Sequence, residues 1–160
     1  MRIVSAVFAI FALLACATES APPSELTSED RGSIQAEVLD WSDGWLSAVN
    51  EGDAQGAAVL FDQAAAHFMD HTSYQANWQE LQTRFQELFG GQDAPVGAWD
   101  TRRVDVLAPD LALVTGQVAR TGAEAEGQGE EASRSYVSIV VRKEAGVWLG
   151  LFGHVSGPAG

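Results

Sequence analysis

Two different periodicities divide this chain, and the order in which they come leaves few folds open. From Ile34 to Phe89 apolar side chains recur at helical intervals, whereas from Trp99 to Ser156 they alternate as in half-buried strands. Ile34, Val38, Trp41, Trp45, Ala48 and Val49 form one stripe of a first helix, with Glu37, Asp40 and Asp43 on its other side. Gly52 ends it. Asp53 is an N-cap for a short second helix that carries Ala54, Ala57, Ala58 and Leu60 toward Phe61. A short strand is expected within 64–71. A capping box at Thr72 with Gln75, or at Asn77 with Glu80, then opens a third helix, whose buried stripe is Trp78, Leu81, Phe85, Leu88 and Phe89. Gly90 and Gly91 terminate it.

The remainder reads as strands over 99–107, 111–121, 133–143 and 147–156. Turns fall at Pro109 with Asp110 and at Ala145 with Gly146, and the Gly- and Glu-rich stretch 122–131 reads as a long exposed hairpin tip. Helices first and antiparallel strands afterwards predict an α+β fold, with N-terminal helices packed on a curved, mostly antiparallel sheet. One domain, 33–160, is large enough for a single core.

The first 15 residues read as a secretory signal, with Arg2 as the charged start, an apolar run from Ile3 to Leu14 and a small residue before the cut. That run is too short to span a bilayer. Cys16 is the only cysteine, so no intrachain disulfide supports the fold and packing must suffice. Leu13, Leu14, Ala15 and Cys16 resemble the lipobox of bacterial lipoproteins, which implies an acylated Cys16 as the first mature residue. Ala17, in place of the aspartate that commonly retains lipoproteins at the inner membrane, points to the periplasmic face of the outer membrane. Residues 16–32 are rich in Thr, Glu, Ser and Pro and read as a lipidated, solvated tether.

Net charge is −13, and loss of Arg2 with the leader makes it −14. Such acidity argues against nucleic acid as a partner, because phosphate binding depends on clustered Lys and Arg.

The Trp-rich helix, Asn50 followed by Gly52 and Asp53, the phrase Leu107 to Gly116, and the ending Val147, Trp148 through His154 and Ser156 resemble the SnoaL-like branch of the nuclear transport factor 2 (NTF2) superfamily. The resemblance covers about residues 33–157. It implies a cone-shaped sheet that encloses a pocket with the long helix, and pairing of two copies through the outer sheet face.

Alternation places Trp148, Gly150, Phe152, His154 and Ser156 on one face of the last strand, and Arg134, Tyr136, Ser138 and Val140 on one face of its neighbour. Pointing inward, these would give an aromatic cavity with a few polar groups, extended by Tyr74 and Trp78. His154 suits either general acid and base work or a hydrogen-bonded structural place at the sheet end. In isomerases of the resembled superfamily a carboxylate abstracts a proton beside a carbonyl, a part that Asp70 with Tyr74 or Tyr136 would imitate, and an ordinary turn is the other reading of Asp70. Of Arg102 and Arg103 only one side chain can enter the cone. No metal or organic cofactor is expected: His67 and His71 are four apart, but Phe68 replaces the glutamate of a metalloprotease motif.

Three functions follow as expectations. The first is a lipid-anchored envelope protein that binds a small apolar or amphipathic molecule. The second is an isomerase, dehydratase or hydrolase working through Asp70, Tyr136 and His154, and the third is a dimeric assembly module without a ligand. Palmitate labelling in a bacterium that processes lipoproteins is expected to mark the protein, with mass spectrometry placing the acyl groups on an N-terminal Cys16. Cys16→Ser is expected to lose the label, and a labelled Cys16→Ser chain would contradict the anchor.

Overall fold

The computed structural model describes residues 25–90, 96–121 and 134–157. The leader, Cys16, most of the tether and the tip at 122–131 lie outside the described residues. The first helix, α1 (Ser28–Asn50), starts inside the stretch read as tether. Its start is set by a reciprocal cap. The Thr27 hydroxyl accepts from Asp30 N and the Asp30 carboxylate accepts from Thr27 N, each at 3.1 Å, which satisfies two otherwise orphaned donors. Ile34, Val38, Trp41, Trp45 and Val49 are buried along the expected stripe.

Asp53 caps α2 (Ala54–Val59) by accepting from Gly56 N at 2.8 Å. Two short strands follow, β1 (His67–Asp70) and β2 (Tyr74–Gln75); the second is too short for alternation to announce it. Asn77, not Thr72, caps α3 (Trp78–Phe89), its Oδ1 accepting from Glu80 N at 3.0 Å.

The chain then runs through β3 (Val96–Ala108), β4 (Leu111–Thr121), β5 (Arg134–Glu144) and β6 (Val147–Ser156). At the last turn Ala145 and Gly146 both have positive φ, 49° and 87°, the left-handed pair whose twist matches that of a tight hairpin. The six strands form one sheet in the order β2-β1-β6-β5-β4-β3. All neighbours are antiparallel except β1 beside β6. This is the expected α+β architecture of helices on one face of a mostly antiparallel sheet.

Side chains of α1 fasten it along the edge strand β3. Arg31 Nη1 donates to Val106 O at 3.1 Å and Gln35 Nε2 to Val104 O at 3.2 Å. Asn50 donates to Gly97 O at 2.8 Å and accepts from Gly97 N at 2.7 Å, as a neighbouring peptide would. Edge groups occupied in this way cannot recruit a foreign strand.

Phe61 centres the core. Its ring meets Trp41, Phe68 and Phe85 edge-on, at centroid distances of 6.1, 6.5 and 5.6 Å. The backbone on either side of it is bonded to β6: Gly150 N donates to Leu60 O and Asp62 N donates to Gly150 O, both at 2.9 Å. A Cβ on Gly150 would lie 2.6 Å from the Phe61 ring, and one on Gly153 would lie 2.8 Å from Phe68. Gly150→Ala is therefore expected to destabilise by about 1–3 kcal/mol through overpacking. Urea unfolding measures this, and an unchanged midpoint would contradict the packing described.

Candidate functional site

Residues opposite one another in a ladder project to the same face, so the register decides what lines the cone. On β5 the helix-covered face takes Ser135, Val137, Ile139 and Val141, all buried. Arg134, Tyr136, Ser138 and Val140 therefore face away from the helices, and Tyr136 is 50 % exposed. This reverses the lining expected from alternation.

On β6 the expected single face does not exist. The register slips between Val140 and Val141: Val141 opposes Gly150 and Val140 opposes Phe152, leaving Leu151 as the extra residue. Such a bulge turns a strand over. Trp148 and Gly150 point inward before it, and Gly153 and Val155 point inward after it. Phe152, His154 and Ser156 consequently lie on the outer face, with His154 opposite Ser138 and Ser156 opposite Tyr136.

Asp70 opposes Val155 and is buried, so it lies on the inner side of the sheet, away from Tyr136 and His154. The three catalytic candidates do not converge. The Asp70 carboxylate is also fully engaged: it accepts from Thr72 N at 2.7 Å and Oγ1 at 2.6 Å, from Ser73 N at 3.0 Å, and from Arg84 Nε at 2.6 Å. Burial alone would raise its pKa, but the bonds from Arg84 and Thr72 outweigh that and hold it well below the usual carboxylate range. A carboxylate so stabilised is a poor proton acceptor. Asp70 is the ionic clasp between the β1–β2 turn and α3.

The other candidates are spread through the fold. The Tyr74 hydroxyl lies 2.9 Å from His67 Nδ1, with the two rings stacked on the outer side of the sheet. Trp78 Nε1 donates to Ala58 O at 3.2 Å and ties α3 to α2. Arg134 pairs with Asp100 at 3.3 Å. Trp148 Nε1 donates to Glu37 Oε2 at 2.7 Å, and Lys143 Nζ donates to the same oxygen at 2.6 Å. The bonds from Lys143 and Trp148 lower the Glu37 pKa and join α1 to β5 and β6. Of the two arginines it is Arg102 that turns inward, where it bonds Ser42 Oγ at 2.9 Å, pairs with Asp43 and stacks on Trp99. Arg103 pairs with Asp105 on the outer face.

At the opposite end α1 and the sheet leave a narrow cleft. Its apolar wall is Trp45, Leu46, Val49, Phe89, Val118, Val137 and Val155, with Gly97 between them; Asn50, Arg120 and Ser135 add polar groups. The cleft leaves about 30 Å³ open to the centre of a water-sized sphere. One water needs at least about 10–15 Å³ by that measure, so the cleft as it stands is small. Asn50, Arg120 and Ser135 did not emerge from the sequence as site residues. The signal was present on β5, where the odd positions Val137, Ile139 and Val141 are the apolar ones and carry Ser135 inward with them.

No protein-family model matches the chain, and no curated protein matches it in sequence. Solved structures do match. An NTF2-like protein of unknown function from Pseudomonas putida superposes with a TM-score of 0.69 at 17 % identity, over 81 % of this chain and 89 % of that one. An NTF2-like protein of unknown function from Shewanella oneidensis gives 0.63 at 14 %, over 76 % and 97 %. A hexachlorocyclohexane dehydrochlorinase from Novosphingobium barchaimii gives 0.65 at 12 %, over 83 % and 92 %. The fold is NTF2-like.

Because the Asp70 pKa is lower folded than unfolded, its contribution to stability is complete well above the unfolded value of 3.8 and is lost as the pH falls through and below it. Arg84→Ala leaves a buried charge without its partner and is expected to cost about 3 kcal/mol at pH 7. Asp70→Asn is expected to shrink the loss of stability between pH 7 and pH 3. Urea titrations at the two pH values measure both, and an acid sensitivity unaltered by Asp70→Asn would contradict the clasp.

Proposed function

We propose that this is a lipid-anchored cell-envelope protein whose NTF2-like domain binds a small apolar or amphipathic molecule in the cleft between α1 and the sheet. The observation that carries the reading is the cleft itself, an apolar slot with Asn50, Arg120 and Ser135 among its walls. A few placed polar groups in an apolar concavity are what orient a small ligand. The anchor rests on the leader and Cys16, and the assignment to the periplasmic face of the outer membrane rests on Ala17. Among the described residues no helix is long and apolar enough to cross a membrane.

The isomerase, dehydratase or hydrolase reading draws less support. A dehydrochlorinase shares the fold, but reactions reside in side chains and not in folds. Here the proposed base is held ionised and the proposed Tyr136 and His154 lie across the sheet from it.

A homodimer formed through the outer sheet face is a second, compatible reading. It is favoured by Tyr136 and Met69, 50 % and 37 % exposed, beside half-buried Leu113, Val140 and Phe152 on that face. An apolar run of neighbours on an uncovered sheet is the mark of an interaction surface.

Thermal denaturation with a series of straight-chain and cyclic hydrocarbon derivatives tests the ligand reading. At least one of them is expected to raise the Tm by several degrees; no shift with any of them would contradict it. Sedimentation at micromolar concentration is expected to give a dimer that Phe152→Glu converts to a monomer, and a wild-type monomer would contradict the second reading.

A further inference from the structure

The start of α1 and both tight hairpin turns lie at one end of the sheet. Arg31, in the first turn of α1, donates to Val106 O near the end of β3. The turn that follows, at Pro109 and Asp110, is tied to β5 by Lys143 N, which donates to Asp110 O at 2.8 Å. One residue further on, Glu144 opposes Val147 across the β5–β6 turn. The two most exposed large apolar side chains among the described residues are both here: Leu107 at 56 % and Val147 at 58 %. Leu107 is presented by a bulge, as the extra residue where the register shifts between Val106 and Ala108. Three strand intervals, about 14 Å, separate β3 from β6, so the two side chains project from one rim.

The segment that leads from Cys16 arrives at the same end. Leu26, just ahead of α1, packs on the core, and from Cys16 to Leu26 the chain advances ten residues, a reach of at most about 33–36 Å. The 23 residues of α1 span about 34 Å from that end to Asn50 and the cleft. To bring the cleft end to a membrane that holds Cys16, those ten residues must be drawn to full stretch, which costs their chain entropy. The turn end reaches the membrane with slack. We infer that Leu107 and Val147 are a contact with the lipid surface, so that the domain stands on its turn end with the cleft facing away from the bilayer. This rests on the lipid-anchored reading above and gives it a direction: the cleft exchanges its ligand with the aqueous side, not laterally with the anchoring bilayer.

Charge decides which lipid this surface fits. The cations nearest the rim are committed, Arg142 to Asp62 and Glu144 and Lys143 to Glu37, while Glu29, Asp30 and Asp110 add negative charge. Such an end has nothing to hold anionic headgroups, so zwitterionic lipid is its partner. Two aliphatic side chains are too few to retain a free protein at an interface, but a tether that fixes the local concentration makes a weak contact count.

The test uses the full chain, acylated at Cys16, on phosphatidylcholine and phosphatidylethanolamine vesicles that carry a headgroup-bound dinitrophenyl quencher. Acylation consumes the single native thiol, so Asp110→Cys or Glu51→Cys takes one fluorophore at the turn end or at the far end of α1. Quenching at 110 is expected to exceed that at 51 by about fivefold or more, given the ~34 Å length of the helix. Leu107→Ser with Val147→Ser, two exposed changes that leave the fold intact, is expected to cut that ratio roughly in half. Phosphatidylglycerol in place of part of the lipid is expected not to raise it. A vesicle-bound, acylated chain quenched equally at both positions, or one whose ratio ignores the double variant or rises with phosphatidylglycerol, overturns the contact while the anchor stands. A chain that does not stay on the vesicles overturns the anchor and this inference with it.

Discussion

The seating of the Phe61 ring on the bare backbone of Gly150 and Gly153 decides how closely the helices approach the sheet. A phenyl side chain taken out of water stabilises by about 2–3 kcal/mol, and each edge-on aromatic partner adds about 0.5–1.5 kcal/mol. Phe61 has three such partners in Trp41, Phe68 and Phe85. That contact fixes α2 against β6, and the same stretch of β6 carries the bulge at Leu151. The bulge then determines which of the remaining residues face the helices.

Two ends of the cone follow from this. At one end Glu37 accepts from both Trp148 and Lys143, so helix and sheet are joined there by charge-assisted bonds. At the other, Asn50 holds the last turn of α1 to Gly97, and the cleft lies beside that contact, with Val118, Ser135, Val137 and Val155 of the sheet in its walls.

Much of this was legible in the sequence. The three helices, the four long strands and both tight turns follow from spacing, caps and turn residues, each local and each agreeing with the whole. Asp53 and Asn77 cap the helices they precede, and Gly146 takes the left-handed conformation a two-residue hairpin needs. The beginning of α1 was missed because Ser28 to Gly32 carry no apolar stripe; only the pairing of Thr27 with Asp30 marks the start. The candidate site was less legible for a definite reason. Period-two reasoning fails across a bulge, and Val147 to Val155 is apolar on both faces, so nothing in β6 betrays the extra residue. On β5 the alternation did contain the answer, since Val137, Ile139 and Val141 are the apolar series.

The turnover of β6 at Leu151 is the claim on which the division into filled core, narrow cleft and open outer face rests. Single cysteines introduced into a Cys16→Ser background at Tyr136, Val137, His154 and Val155, labelled with a maleimide at submicromolar protein, report the two faces directly. Thiols at 136 and 154 are predicted to react at rates near that of an exposed cysteine, with those at 137 and 155 slower by at least tenfold. Fast labelling at 137 and 155 with protection at 136 and 154 would place the aromatic face inside the cone and contradict the account.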